Sequence, residues 1–294
     1  MSRSWNAYFK VIFSVVAWGA SFIATKVALQ AIHPATVVWL RFGIGIFILG
    51  LAAHWRGQLA LPHRKDLAYF ALLGFIGITF HQWLQSTGLV TAQASTTAWI
   101  VATTPIFMAI LGWLFLREKL TKYQILGIGL ASMGVLLVVS KGDLSVLGLR
   151  ESVTPGDILI LISAPNWAIF STLSRRGLKD QSAVLMILYV MGFGWLFSST
   201  LFFMGPGLHE ISRLTLPGWL SILFLGIACS GLAYIFWYDG LQAIPASQVG
   251  AFLYLEPLVA VLVAGIVLKE SILLASLLGG AIILLGVWLV NRAR

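Results

Sequence analysis

The chain has 294 residues, of which 59% are hydrophobic and only 10% are charged, and its mean hydropathy is +0.94. Because a soluble domain carries about 25% charged residues, this composition excludes a protein that covers itself with a polar surface in water. The formal net charge is +9, but the basic residues lie mostly at the ends of apolar segments and form no cluster suited to nucleic acid. The composition therefore predicts an all-α integral membrane protein without a nucleic-acid partner.

Polar breaks divide the chain into ten apolar segments. Each approaches the roughly 20 residues that a helix needs to cross the hydrocarbon core of a bilayer. The pattern predicts ten transmembrane helices with short connections, which leave no room for a soluble ATPase or catalytic domain. The first segment is too long for the apolar region of a signal peptide, so we expect a retained helix. The predicted segments comprise residues 10–31, 35–53, 67–88, 94–116, 121–140, 155–174, 183–204, 217–241, 246–268 and 272–291.

Lysine and arginine are distributed unevenly over the connections between these segments. With a cytoplasmic N-terminus, 13 of them lie on the cytoplasmic side and 4 on the opposite side. Cytoplasmic connections of membrane proteins carry an excess of these residues. The distribution therefore predicts that both termini are cytoplasmic.

The two halves of the chain share a repeated pattern. Pro105 and Pro257 are 152 residues apart, and so are Glu118 and Glu270. Each half holds five segments, and an odd number inverts the second half, so we predict two inverted five-helix repeats, residues 1–140 and 155–294, joined by 141–154. Inverted repeats are typical of secondary transporters, with the substrate site between them. Further pairs at the same or nearly the same offset are Gly74/Gly226, Gly88/Gly240, Ala94/Ala246, Ser95/Ser247, Gly127/Gly279, Gly134/Gly286, Trp18/Trp167 and Lys26/Arg175.

The segment LEPLVAVLVAGIVLKESILLASLLGGAIILLGV closely resembles the signature of the EamA-type drug/metabolite transporter superfamily. Its first-half copy is TPIFMAILGWLFLREKLTKYQILGIGLASMGVLLV, and VAWGASFIATKVAL, HPATVVWLRF and TPGDILILISAPNWAIFSTLSRR match other stretches of the pattern. The resemblance covers nearly the whole chain and extends to bacterial exporters of aromatic amino acids. It implies ten helices around a central cavity in the cell inner membrane, and efflux of aromatic and other amino acids from the cytoplasm.

Ionisable side chains inside the apolar segments are candidates for a charge role. They cost roughly 2.5–3.5 kcal/mol each on insertion scales and usually face the protein interior. Arg41 or Lys26 would face a substrate carboxylate, and Glu256 would face an amine or bind a proton. Alternatively, they pair with each other or satisfy the backbone near Pro257. Glu270 precedes a predicted helix, so we expect it to complement the positive end of that helix dipole.

Four tryptophans lie away from the segment ends, where tryptophan usually marks the membrane interface. Trp18 and Trp167 are repeat equivalents near the middles of their segments, and Trp99 and Trp237 are the other two. Their indole faces would stack on planar aromatic substrates, with about 0.5–1.5 kcal/mol per pair beyond area burial. The alternative is that they pack against other helices or face lipid.

Polar and aromatic side chains recur at helical spacing in two other segments. His81 and Gln85 share one face of the third segment with glycines, and Tyr234, Trp237 and Tyr238 lie in the eighth segment. Few polar groups among apolar walls are typical of a small-molecule pocket. Interhelical hydrogen bonding is the alternative role for His81 and Gln85.

Pro105 and Pro257 interrupt the fourth and ninth segments, where proline frees backbone carbonyls. We predict gating hinges there, with static kinks as the alternative. The sequence contains no phosphate-binding loop, no HExxH or GxSxG motif and no metal-ligand spacing, which predicts neither an enzyme nor a cofactor. We therefore expect a monomeric secondary transporter that binds amino acids. Carriage of an organic cation or a nucleotide sugar, or a passive channel, remains an alternative.

Overall fold

The structure is a computed structural model that describes residues 3–116, 121–143, 153–177, 182–243, 249 and 252–292. Within these ranges the chain is helical and contains no strand. Glu118, Ala246 and Ser247 of the repeated pattern lie outside the described residues, and so do the side chains of Pro105 and Arg175.

The described residues form fourteen α-helices, three π-helical segments and one 3₁₀ turn. Apolar residues surround most of these helices, as is usual where a helix is buried or faces lipid. The elements are α1 Arg3–Ala28, α2 Pro34–Trp55, α3 Arg64–Gly74, π1 Phe75–Phe80, α4 His81–Thr91, α5 Ala94–Val101, α6 Thr104–Leu116, α7 Lys122–Val139, α8 Pro155–Gly177, α9 Ala183–Met204, α10 Gly207–Ile211, α11 Leu216–Leu223, π2 Phe224–Leu232, α12 Ala233–Ala243, the 3₁₀ turn Phe252–Tyr254, α13 Leu255–Val263, π3 Ala264–Leu268 and α14 Leu274–Arg292.

Seven helical stretches of the described chain are long and apolar enough to cross a membrane. The protein is therefore a multi-pass membrane protein, while ten spans remain a prediction. The predicted fourth segment is divided into α5 and α6 by a turn at 102–103. The predicted ninth and tenth segments correspond to the shorter apolar helices Phe252–Leu268 and Leu274–Val290. The seven stretches are Trp5–Ala28, Pro34–Trp55, Arg64–Thr91, Lys122–Val139, Pro155–Ser174, Ala183–Met204 and Leu216–Gly240.

The helices pack in two corresponding groups. Helix α1 packs most closely on α12 and α13, and α2 packs on π2. In the same way α8 packs on α4 and α6, and α9 packs on α3 and π1. The first group therefore combines α1 and α2 with π2, α12 and α13, and the second combines α8 and α9 with α3, π1, α4 and α6. Helices α2 and α9 pack against each other and join the two groups.

Glycines allow the closest of these contacts. A Cβ built on Gly88 would lie 2.7 Å from Ile160 Cδ1, and one built on Gly240 would lie 2.3 Å from Val11 Cγ2. Gly240 follows Gly88 by 152 residues and Ile160 follows Val11 by 149, so the same repeat positions meet in both groups. Without a Cβ the backbones approach closely, which favours helix association in a membrane.

The segments π1 and π2 lie within membrane-spanning stretches and leave carbonyl groups free for other helices. Asn166 Nδ2 donates to the Ile76 carbonyl at 2.9 Å, and Trp18 Nε1 donates to the Cys229 carbonyl at 3.1 Å. The middles of α1 and α8 are thereby fixed against the two π segments. Such π segments frequently occur at functional sites.

The two candidate hinge prolines lie just after breaks in their segments. Helix α6 begins at Thr104, so Pro105 is in its first turn, and Pro257 is in the first turn of α13 after a 3₁₀ turn. A first turn tolerates proline because its backbone N–H would have no partner within the helix. The breaks therefore precede the prolines, and their hinge role remains a prediction.

Candidate functional site

One group of aromatic side chains lies between α1 and α12. The ring of Trp18 is 5.4 Å from that of Tyr234 in an edge-to-face arrangement, and 5.2 Å from that of Trp237. Helix α12 presents both partners because residues three apart lie on the same face. Two of the predicted residues of the eighth segment therefore contact Trp18, and Tyr238 packs against the same apolar core as Trp18.

A second aromatic group lies between α4 and α8. The ring of His81 is 4.8 Å from that of Trp167, and Trp167 is 4.9 Å from Phe170. His81 is only 4% exposed, and its Nδ1 atom has no hydrogen-bond partner among the described residues. Gln85 follows His81 by one turn on α4 and is half-buried. Trp18 and Trp167, the repeat equivalents, thus belong to separate groups that contact one shared apolar cluster.

Arg41 of α2 lies between the two groups. Its Nε donates to Ser230 Oγ at 3.1 Å and its Nη1 donates to the Gln82 side-chain carbonyl at 3.2 Å. The side chain is 5% exposed and within electrostatic range of both Tyr234 and His81. None of the acidic residues that the structure describes forms an ion pair with this guanidinium. A buried guanidinium of this kind favours an anionic ligand, because its charge is costly to leave without a counter-charge.

Glu256 adjoins the first aromatic group. Its backbone carbonyl packs against α1, where a Cβ built on Gly19 would stand 2.7 Å away, and its carboxyl lies within electrostatic range of Tyr234. No ion pair joins it to Arg41 in the described part of the chain, so the alternative in which these two residues neutralise each other does not apply here. The Glu256 side chain is partly exposed.

Trp99 lies apart from both aromatic groups. It is 2% exposed and packs flat on α14, where a Cβ built on Gly280 would be 2.4 Å from its ring. It belongs to the apolar cluster around Ile106 and Val261 instead of the one that contacts Trp18 and Trp167. Its predicted binding role therefore lacks the neighbours that the other candidates have.

Lys26 lies at the end of α1, near Glu270. Its ammonium donates to the Ala92 carbonyl and is 3.8 Å from the Glu270 carboxylate. That carboxylate accepts hydrogen bonds from the backbone N–H groups of Ala94 and Ser95 at 2.9 and 3.2 Å and from Ser95 Oγ at 2.7 Å. Glu270 therefore caps α5, which corrects the expectation that it serves the helix that follows it in sequence. Tertiary packing brings the orphan N–H groups of α5 within its reach.

A cluster at the opposite end of α1 was not identified from the sequence. Asp239 Oδ2 is 2.6 Å from Lys10 Nζ, and both carboxylate oxygens accept hydrogen bonds from Arg56 at 2.8 and 3.0 Å. The hydrogen bond to Asp239 raises the pKa of Arg56 above its ordinary value and keeps the guanidinium charged. The cluster ties α1, α2 and α12 together within one group of helices. Its signal in the sequence was only the position of each residue near a segment end.

Comparison with known proteins agrees with this architecture. The model of the EamA-like transporter family matches residues 5–140 and 154–292. The chain belongs to the EamA-like transporter family. A solved crystal structure with 21% sequence identity aligns with 98% of this chain and 96% of its own, with a TM-score of 0.66, which supports the fold alone.

Several EamA-family relatives match over nearly their whole lengths. An uncharacterized transporter of Archaeoglobus fulgidus is 28% identical over 96% of this chain and 97% of its own. The uncharacterized transporter YyaM of Bacillus subtilis is 29% identical, covering 96% and 92%. A protein of Streptantibioticus cattleyicolor, described as a probable terminal-alkyne amino-acid exporter, is 27% identical, covering 98% and 94%. The family and these relatives are transporters, so this EamA protein is a membrane transporter with a small-molecule substrate.

Proposed function

We propose that this EamA-family protein is a secondary transporter that exports aromatic and other neutral amino acids from the cytoplasm by alternating access. The observation that carries the proposal is the placement of buried Arg41 between two aromatic groups with no described acidic partner. An amino acid would bring its carboxylate to Arg41 and its side chain to Trp18 or Trp167. The relative described as a probable terminal-alkyne amino-acid exporter supports the same substrate class. The resemblance of the sequence to the bacterial aromatic amino acid exporter YddG also favours it.

The polar ends of the substrate have matching groups near the site. Arg41 has five N–H donors, of which Ser230 and Gln82 take two, so further donors remain for a carboxylate. Glu256, on the Tyr234 side, would receive the substrate ammonium. His81 Nδ1, buried without a partner among the described residues, would accept a hydrogen bond from the substrate or donate one to it.

The proposed architecture has ten spans in two inverted repeats, 1–140 and 155–294, around a central cavity, with both termini cytoplasmic in the inner membrane. The corresponding glycine contacts of the two helix groups support the repeats, and the excess of basic residues supports the orientation. Rocking of one group against the other would expose the site to each side in turn. We propose that the monomer is sufficient and that Pro105 and Pro257 act as hinges.

A second candidate is an organic-cation transporter. Glu256 favours it, because this carboxyl has no ion-pair partner in the described chain and adjoins the aromatic side chains that attract cations. Buried Arg41 opposes it, since a guanidinium repels a cationic ligand. Arg41→Gln separates the candidates: an amino-acid carrier should lose affinity, whereas a cation carrier should keep transport, because the guanidinium repels a cationic ligand.

The proposal is tested by counterflow in proteoliposomes. Labelled tryptophan and phenylalanine are followed with the parent protein, Trp18→Ala, Trp167→Ala and Trp99→Ala. Trp113→Ala is the matched control, because Trp113 is 51% exposed on the outside of α6. We expect saturable counterflow in the parent protein and in Trp113→Ala. We expect it to be lost in Trp18→Ala and Trp167→Ala.

Two outcomes would contradict the proposal. Absence of counterflow with any amino acid would remove the substrate class and direct the search to organic cations and nucleotide sugars. Flux that neither saturates nor responds to substrate on the opposite side would indicate a passive channel.

A further inference from the structure

The Glu270 carboxylate joins three segments that are distant in sequence. It lies beyond the end of π3, receives three hydrogen bonds from the start of α5, and is 3.8 Å from the ammonium of Lys26 at the end of α1. Lys26 also donates to the Ala92 carbonyl between α4 and α5. We call Lys26, Ala92, Ala94, Ser95 and Glu270 the carboxylate latch.

The latch connects the two helix groups. Helices α1 and α13 pack in the first group, and π3 continues directly from α13 to Glu270. Helix α4 packs on α8 of the second group, and α5 packs on both α8 and α13, so it lies between the two groups. The cluster of Asp239, Lys10 and Arg56 does not connect the two groups, because it joins α1, α2 and α12, which all belong to the first group. The latch is therefore one of the contacts that hold the two groups together at this end, whereas the Asp239 cluster lies within a single group.

The latch lies between the candidate site and an open cleft. A cleft of about 370 Å³ is lined by Lys26 and Glu270 together with Gln30, Val90 and Gln93. Trp18 precedes Lys26 by eight residues on the same helix, which is about 12 Å at 1.5 Å per residue. The first aromatic group thus lies further into the membrane along α1 than the latch, whereas the cleft is lined by the latch residues and by Gln30 beyond them.

The local geometry directs the carboxylate to this position. Lys269 has a left-handed backbone with φ of 53°, which ends π3 and turns the chain toward α5. The N–H groups of Ala94 and Ser95 are at the positive end of the α5 dipole, where a carboxylate is favoured. A side chain that caps a helix across the group boundary binds only while the two groups are together.

We infer that the carboxylate latch is a gate that holds this end of the transporter closed and that releases when the site opens toward this side. The inference rests on the proposed alternating-access function. In the proposed orientation this end is extracellular. Glu270 then keeps its place after π3 while α5 moves away with the second group, and its hydrogen bonds are replaced by water from the cleft. Weakening the latch therefore raises the population of the state that is open at this end.

Spin-label distances across the cleft test this gate without any substrate. Labels are placed on Gln30→Cys and Val90→Cys, which are exposed on opposite sides of the cleft, in a Cys229→Ser background that removes the chain's one cysteine. The full-length protein is measured in proteoliposomes as the labelled parent and with Glu270→Gln, Ser95→Ala or Lys26→Met added. We expect a longer-distance population that is at least several-fold larger with Glu270→Gln than in the labelled parent, and a smaller increase with Ser95→Ala.

Asp239→Asn is the matched control. Asp239 also joins helix ends, with its carboxylate 2.6 Å from Lys10 Nζ and accepting from Arg56 at 2.8 and 3.0 Å, but these residues all belong to the first group and lie at the opposite end of α1. It should leave the label distances unchanged. Unchanged distances in both Glu270→Gln and Ser95→Ala would overturn the gate, and Ser95→Ala decides alone if Glu270→Gln does not fold. Because no substrate is present, a failed counterflow assay and a failed gate remain distinguishable.

Discussion

The backbone of Gly127 in α7 lies directly against that of Gly286 in α14: a Cβ on either residue would stand 2.5 Å from the carbonyl oxygen of the other. Gly134 and Gly279 meet in the same way, at 2.7 and 2.8 Å. Gly279 is the repeat equivalent of Gly127, and Gly286 is that of Gly134, each 152 residues later. Gly127 therefore contacts the equivalent of Gly134, and Gly134 contacts the equivalent of Gly127. This reciprocity is the property of a two-fold contact and supports the proposed inverted repeats.

Gly127→Ala is therefore expected to destabilise the protein. The new methyl group would force α7 and α14 apart, with a cost of about 1–3 kcal/mol typical of overpacking. The measurement is the thermal unfolding midpoint in detergent, followed by tryptophan fluorescence. Gly129→Ala is the matched control, since a Cβ there meets nothing within 4 Å and alanine is the better helix former. Equal midpoints for the two variants would contradict the proposed close contact.

Trp18→Phe separates the aromatic face of Trp18 from its indole N–H. The N–H donates to the Cys229 carbonyl in π2, so its removal should cost about 0.5–1.5 kcal/mol of stability. A phenyl ring still stacks beside Tyr234 and Trp237, so the half-saturating tryptophan concentration should change less than in Trp18→Leu. Thermal unfolding and counterflow with the two variants check these expectations. A larger transport defect in Trp18→Phe than in Trp18→Leu would show that stacking is not the role of Trp18.

The sequence selected candidate residues for the site but gave little indication of their arrangement. Repeat register and mid-segment position selected Trp18 and Trp167, and the cost of intramembrane charge selected Arg41. The partners of Arg41 were missed, because Gln82 and Ser230 lie 41 and 189 residues away and ordinary polar residues give no signal of a long-range contact. Trp99 had the same appearance as Trp18 in sequence but packs on Gly280, which only the helix packing reveals.

Glu270 illustrates a limit of local reasoning. A carboxylate just before a helix predicts a contact with that helix, and its dipole would be a sufficient partner. The structure gives it Ala94 and Ser95 instead, about 175 residues away. The break before Pro105 was missed for a related reason, since hydrophobicity continues across the turn at 102–103 and gives no signal of it.

Asp239→Asn is expected to destabilise the first helix group. It leaves Lys10 and Arg56 close together without a counter-charge, and the lost charge-assisted hydrogen bonds contribute about 1–2 kcal/mol after allowance for their partial exposure. The measurement is a double-mutant cycle of Asp239→Asn and Arg56→Gln by thermal unfolding. The effects should be clearly non-additive, because the two residues share their hydrogen bonds. Simple additivity would mean that Asp239 and Arg56 are not energetically coupled. The label distances across the cleft should not respond to Asp239→Asn.

Arg41→Gln provides the sharpest test of carboxylate recognition. If the guanidinium binds the substrate carboxylate, its removal loses a charge-assisted interaction of about 1.5–3 kcal/mol, which corresponds to roughly 10- to 100-fold weaker tryptophan binding. Tryptamine, which keeps the indole and the amine but lacks the carboxylate, should compete poorly against tryptophan in the parent protein. Tryptamine should compete no worse in Arg41→Gln than in the parent protein, because it has no carboxylate for Arg41 to bind.

Arg41→Lys serves as the matched control for this prediction. Lysine keeps the positive charge but loses the planar pair of donors, so it should restore part of the tryptophan affinity without restoring the contacts to both Ser230 and Gln82. The measurement is binding of tryptophan and tryptamine in detergent by tracer competition, beside thermal unfolding of each variant. If Arg41→Gln weakened both ligands equally while unfolding at a lower temperature, Arg41 would hold the helices together through Ser230 and Gln82 and would not recognise the carboxylate. A loss confined to tryptophan, partly recovered in Arg41→Lys, would instead place the substrate carboxylate at Arg41, between the two aromatic groups.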